Sequence, residues 1–153
     1  MSRYFYFLLL CLLMGCAPQD QQNNEDPPEV IFHKSHEIKK ATAPFSDVVQ
    51  VGNTYYLSGQ IGMDHRTRTL VPGGISGETT QTLENIKAVL AQHNIEMRQV
   101  VKAMVVLDDI NDFAAFNDIY SVYFPQKPAR TTFAAEALAR GAKIEIEVIA
   151  VKN

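Results

Sequence analysis

The sequence contains no tryptophan, only two cysteines, and no apolar run long enough to cross a bilayer. Each shortage excludes something. Cys11 and Cys16 both lie in the N-terminal segment, so a domain that begins after them has no thiol catalysis, no disulfide and no Cys-ligated zinc. The longest apolar stretch, Tyr4 through Leu13, is about half the ~20 residues a spanning helix needs. Cations are in the minority: 14 Lys and Arg against 17 Asp and Glu give a formal net charge of −3, and the basic residues are scattered rather than gathered in a stripe. Nucleic acid is therefore not an expected partner. Pro72-Gly73-Gly74 lacks the strand, spacing and Lys of a phosphate loop and reads as a plain turn. His33 and His36 stand at i, i+3 around a strand end and, with His65 and His93, offer no rival site, so metal binding is not expected.

What is present begins with a change of composition. Residues 1–16 carry one cation, Arg3, then the apolar run, then Met14-Gly15-Cys16. That order is a signal-peptide pattern, and Leu13-Met14-Gly15-Cys16 resembles a bacterial lipobox, in which the cysteine is acylated and becomes the new N-terminus. An ordinary signal peptide with an incidental cysteine is the alternative. Residues 17–28 are polar and Pro-rich and read as a tether, reaching roughly 40 Å when fully extended at ~3.5 Å per residue. Ala17 after the cysteine points to the outer membrane. The expectation is a lipid-anchored envelope protein with one domain over 29–153.

Within that domain, extended segments are expected at Val30–His33, Phe45–Val51 and Thr54–Ser58, with Gly52-Asn53 as the turn of a hairpin. An amphipathic helix from about Ser76 to Asn94 places Leu83, Ile86 and Leu90 on one face, with Glu78 in its first turn. Val100–Leu107 suits a strand covered on both faces. Asn111 can cap a second helix reaching about Phe124, with Phe113, Phe116, Ile119, Tyr120 and Tyr123 toward the core. Strands at about Thr131–Ala135 and Lys143–Val151 complete the order β-β-β-α-β-α-β-β. The result is an α+β domain with a single sheet and two helices on one face. The other sheet face needs cover, which a homo-oligomer would supply.

The last strand raises the chemical question, because Glu145 and Glu147 share a face with Ile149 and Val151. A carboxylate on a half-apolar face must be solvated, paired or used. If the last two strands form an antiparallel hairpin, Arg130 sits opposite Glu145 and Thr132 faces Lys143. Two readings follow. Arg130 and Glu145 are a structural ion pair closing the sheet edge, or Arg130 grips a substrate carboxylate with its two-pronged guanidinium while Glu145 relays a proton to or from water.

Leu57-Ser58-Gly59-Gln60-Ile61, Thr82-Leu83-Glu84-Asn85-Ile86, Asn111-Asp112-Phe113 with Asn117, Pro128-Ala129-Arg130, and Lys143 through Val151 together resemble the Rid family of reactive-intermediate deaminases, also called the YjgF family. The resemblance runs from about Val30 to Lys152. It implies a chorismate-mutase-like fold, a homotrimer around a central barrel, and ligand sites in the clefts between subunits. It also implies hydrolysis of 2-imino or 2-enamino acids to 2-oxo acids and ammonia without a cofactor. Arg130 corresponds to the carboxylate-binding arginine and Glu145 to the glutamate that positions or activates water. Ser58, Asn117 and Thr132 correspond to further pocket positions, although Ser58 also reads as a strand-end hydroxyl and Asn117 as a helix-surface amide. Phe45 stands where the family commonly has Tyr. The competing reading is a non-catalytic lipoprotein that keeps the cleft and binds small carboxylates, while RNA cleavage fits poorly with the acidic charge.

Overall fold

The computed structural model describes residues 26–37, 40 and 42–153. The signal segment 1–16, Cys16 included, and all but the last three residues of the tether 17–28 lie outside the described residues. Among the described residues the elements run β1 (Val30–His33), β2 (Val48–Val51), β3 (Thr54–Ile61), β4 (Met63–Asp64), β5 (Thr69–Leu70), α1 (Gly74–Gln92), β6 (Val100–Leu107), α2 (Phe113–Tyr123), β7 (Ala129–Ala134) and β8 (Ile144–Val151). Six strands form one mixed sheet in the order β1-β2-β3-β8-β6-β7, and β4 and β5 make a separate ribbon. The α+β class and the order of the main elements agree with the sequence reading. The ribbon was not foreseen, because two-residue strands leave no periodicity to detect.

The helices bury the stripes their spacing draws. In α1, Leu83, Ile86 and Leu90 are fully buried, and in α2 so is Phe116, with Tyr120 and Phe124 almost so. Phe113 departs from the expected core role and is 40% exposed. Two end signals also differ. Asp109 rather than Asn111 caps the segment before α2, its side chain accepting from the Asn111 backbone N–H at 2.9 Å across a 3-10 turn over Ile110–Asp112. α1 starts at Gly74, just after left-handed Gly73, so Glu78 lies beyond the first turn. Instead of capping, Glu78 is buried and its carboxylate accepts the backbone N–H of Lys143 at 2.8 Å. It thereby fixes the start of β8.

The proposed hairpin between the last two strands does not form. β7 pairs in parallel with β6, Arg130 beside Ala103, and β8 pairs antiparallel with the other edge of β6, Glu145 beside Val106. Thr132 lies beside Val105, not Lys143, whose ammonium pairs with Asp108 at 2.7 Å. The physical reason is the crossover: a strand, α2 and a strand close naturally into a parallel pair, and the Ala135–Lys143 segment then passes β6 to reach the far side.

Neighbours in register share a sheet face, so the pairings sort the side chains. His33, Val48, Leu57, Val148, Ala103 and Arg130 form one row. It belongs to the helix side, where Val48, Leu57, Ala103 and Val148 are buried. Ile61, Glu145, Val106 and Phe133 form another row. It belongs to the helix-free side, where Phe32 is 68%, Tyr56 45% and Phe133 44% exposed. In the single chain the second face is apolar and uncovered.

Glu78→Ala removes a charged acceptor from a buried site and leaves the Lys143 N–H unpartnered. We expect a loss of roughly 1.5–3 kcal/mol, read by urea unfolding at fixed protein concentration. A change within about 0.5 kcal/mol, the range of ordinary surface substitutions, would show that this tie does not hold β8.

Candidate active site

Arg130 and Glu145 are not partners. They point to opposite faces of the sheet, with β6 between their strands, so their backbones stand more than about 10 Å apart at ~4.8 Å per strand and ~3.3 Å per residue. The structural ion-pair reading is therefore wrong. Two half-sites replace it.

The first half-site is built on β7 and α2. The Arg130 guanidinium carbon lies 4.7 Å from the ring centroid of Tyr120, 5.2 Å from Phe116 and 5.6 Å from Phe113. These rings recur along α2 at helical spacing, so the periodicity that reads as core also makes an aromatic shelf for a cation. One arm of the guanidinium donates to Asn117 Oδ1 at 2.9 Å. Among the described residues no carboxylate lies within ion-pair distance of Arg130. A guanidinium oriented by stacking and one amide, with no counter-anion, is prepared for an anionic ligand. It opens on a cleft of about 430 Å³ walled also by Lys127 and Pro128. Burial raises the Tyr120 hydroxyl above its ordinary range, so it stays a neutral phenol beside the cation. Thr132 follows on the same face two residues along, with its hydroxyl buried and without a hydrogen-bond partner. It is not part of the Arg130 cleft wall.

The second half-site is on β3 and β8. Register shifts between Leu57 and Gln60, so Ser58-Gly59 forms an irregularity opposite β8. A side chain at Gly59 would collide with the Glu145 carboxyl, so the missing Cβ makes the room that Glu145 occupies. Burial, and then the charge of Glu147, hold the Glu145 carboxyl above its ordinary range. Glu145 lines a cleft of about 230 Å³ with Phe45, Gln60, His65 and Arg68. Phe45 is 57% exposed at this cleft. Ser58 does not line it; its hydroxyl donates to the Ser46 carbonyl at 2.6 Å and pins the loop that carries Phe45. The strand-end hydroxyl reading of Ser58 thus describes its bond, while the surface-amide reading of Asn117 does not. Gly59 and the aromatic shelf were missed as site features; a glycine inside a strand pattern was the signal for the first.

An α+β sheet with helices on one face carries a guanidinium without a counter-anion on that side and a half-buried carboxyl, raised by burial, on the other. The chain belongs to the endoribonuclease L-PSP family, whose sequence model matches residues 35–152, and this is the Rid or YjgF family of the sequence resemblance. It is 47% identical over 114 residues to the 2-iminobutanoate/2-iminopropanoate deaminase of Capra hircus, covering 74% of this chain and 83% of that protein. The human protein of the same name is 43% identical over 114 residues, with the same coverage. Among solved structures, the Rid-family protein YyfA of Yersinia pestis superposes with a TM-score of 0.75 at 36% identity, covering 81% of this chain and all of that one. The YjgF gene product of E. coli does so with a TM-score of 0.71 at 31% identity, covering 78% and 97%.

The Glu145 carboxyl should titrate above the ordinary carboxylate range by NMR. Glu147→Gln removes a like charge that disfavours the ionised form, so the Glu145 inflection should move to lower pH. An unmoved inflection would show that burial alone sets it.

Proposed function

We propose that this protein hydrolyses 2-imino acids, in exchange with their 2-enamino tautomers, to 2-oxo acids and ammonia, at sites built between copies of a homotrimer. The observation that carries the reading is the division of Arg130 and Glu145 between opposite sheet faces. One substrate meets both only if Arg130 of one copy faces Glu145 of another. The uncovered apolar face, with Phe32, Tyr56 and Phe133 exposed, supplies the surface for that assembly around a central barrel. Relatives named 2-iminobutanoate/2-iminopropanoate deaminase support the reaction, and a relative in the fold, E. coli TdcF, was solved with bound serine, itself a small amino carboxylate.

In this reading Arg130 holds the substrate carboxylate, with Asn117 keeping the guanidinium in plane. Ionised Glu145 accepts a proton from the attacking water as its oxygen bonds to the imine carbon, and the imine nitrogen takes up a proton from solvent, the one later returned when the hydroxyl deprotonates. The carbinolamine collapses as Glu145 returns its proton to the departing nitrogen, the C–N bond breaks, the hydroxyl proton is lost, and ammonia and the 2-oxo acid leave. Thr132, off the cleft wall, keeps a buried hydroxyl without a partner on the same face as Arg130. Phe45 leaves the reaction without the phenol the family commonly has and favours the second reading, a binding lipoprotein without turnover.

We also propose that Cys16 is acylated and anchors the domain at the cell envelope, through a leader at 1–16 and the tether 17–28. The support is the lipobox-like tetrad followed at once by polar residues.

Arg130→Ala should abolish acceleration of 2-imino acid hydrolysis and weaken 2-oxo acid binding by roughly tenfold to a hundredfold, the loss of one charged hydrogen-bonding partner. Glu145→Gln should slow turnover yet retain 2-oxo acid binding. Light scattering on the same samples should give a trimer mass for wild type and both variants. Full activity in folded Arg130→Ala trimers would sink the mechanism, and a wild type that binds 2-oxo acids without turnover would favour the binding lipoprotein. For the anchor, wild type should take up a fatty-acid label and Cys16→Ala should not; an unlabelled wild type removes that claim.

A further inference from the structure

Two of the residues walling the Glu145 cleft share an unusual backbone state. Arg68 has φ 64 and Arg140 has φ 60, the left-handed region that disfavours any side chain relative to glycine. Strain of this kind at a cleft wall calls for a use of the side chain. Lys40 and His65 line the same cleft, and among the described residues Glu145 is its only acidic wall residue. Burial holds His65 below its ordinary range, so the lasting positive charges are Lys40, Arg68 and Arg140.

The counter-anions are few and set behind the wall. Glu37 approaches Lys40 at 3.8 Å and Arg68 at 3.7 Å, both long, and is closest to His65 at 2.8 Å. Asp47 lies 3.6 Å from Lys40. Among the described residues Arg140 has no ion-pair or hydrogen-bond partner and is exposed. Among the described residues Glu145 forms no ion pair with Lys40, Arg68 or Arg140, although all four line the same cleft. The cleft therefore presents the Glu145 carboxyl together with one cation that has no partner among the described residues, Arg140, and a second, Arg68, held only by a long contact to Glu37.

Resting on the deaminase reading above, we infer that this cleft selects a 2-imino acid whose side chain ends in a second carboxylate, with Arg68 and Arg140 as the residues that determine the preference. The α-carboxylate is then taken by Arg130 of the facing copy, the imine carbon lies at Glu145, and the side-chain carboxylate reaches the strained arginines. A short aliphatic imine would leave them solvated and gain nothing from them. The class of reaction that must supply such a substrate is dehydrogenation of an acidic amino acid across its Cα–N bond, in which an oxidant takes two electrons and two protons.

The test uses the full chain and two product probes, 2-oxoglutarate and 2-oxobutanoate, by titration calorimetry, together with turnover of the imines generated in place by amino-acid oxidases from glutamate and 2-aminobutanoate. Wild type should prefer the dicarboxylic member of each pair about tenfold or more, the effect of one added charged hydrogen bond. A double variant, Arg68→Gly with Arg140→Gly, suits the left-handed backbone, so it should melt no lower than wild type and lose the preference. A wild type that handles both members equally, or a folded double variant that keeps the preference, overturns the inference. No acceleration of either imine by wild type overturns the deaminase reading and this inference with it, whereas acceleration without preference overturns this one alone.

Discussion

The alternation of β8 constrains everything around it. Ile144, Ile146, Val148 and Ala150 are all within 1% of complete burial beneath the helices. Every second residue must then face the other way, and Glu145 and Glu147 are those residues. Exposing the three larger side chains through a one-residue slip would cost roughly 5–9 kcal/mol at 1.5–3 each. Half-burying a carboxyl beside another is unfavourable but does not reverse that balance. The hydrophobic core thus holds Glu145 where its solvation is poor, and poor solvation is the first cause of its raised pKa. Glu78 reinforces the placement from the other side by tying down Lys143, the residue just before the strand.

Arg130 answers to a different physics. β7 is an edge strand, and the sheet alone would leave its side chain loosely placed. The rings of α2 fix it instead: Phe113, Phe116 and Tyr120 surround the guanidinium while Asn117 takes one arm. No carboxylate neutralises the cation, so its charge is available to a ligand. Because β6 separates the two strands, no rotamer of either residue brings guanidinium and carboxyl onto one side of the sheet. Catalysis by this pair requires a second copy, and the apolar helix-free face gives assembly a driving force independent of the chemistry.

Much of this was legible in the sequence because most of the signals are local. The 3.6-residue spacing of Leu83, Ile86 and Leu90 and the alternation of β8 depend only on near neighbours, so α1 and β8 were placed to within a few residues. Gly52-Asn53 likewise marks the β2–β3 turn, where Gly52 adopts φ 58. Pairing is not local. Arg130 opposite Glu145 satisfied every rule for adjacent strands and was still wrong, because the parallel closure through α2 takes precedence over the nearer hairpin. The left-handed arginines were invisible for the same reason: nothing in a sequence announces that a non-glycine residue will adopt a backbone state it disfavours. Gly59 lay in the quoted Leu57–Ile61 motif, but only the register shift against β8 shows why a side chain there is excluded.

The same division links assembly to ionisation. In the single chain Glu145 is already raised by burial. In the proposed trimer, a neighbouring copy laid over the helix-free face would remove more water from it and push the carboxyl further up, while the neighbour's Arg130, brought within reach, would favour the charged form and pull it down. A bound substrate offsets part of that pull, because its carboxylate screens the guanidinium. Glu145 in the loaded site is therefore less acidic than in the empty assembled one, so the proton it takes from water is more firmly held until the nitrogen leaves. Phe45 lines the same cleft with a phenyl ring and has no hydroxyl to offer there. The departure at Phe45 thus removes a polar contact from the cleft, which a cationic clamp on its wall, Arg68 with Arg140, would offset by holding an anionic substrate group.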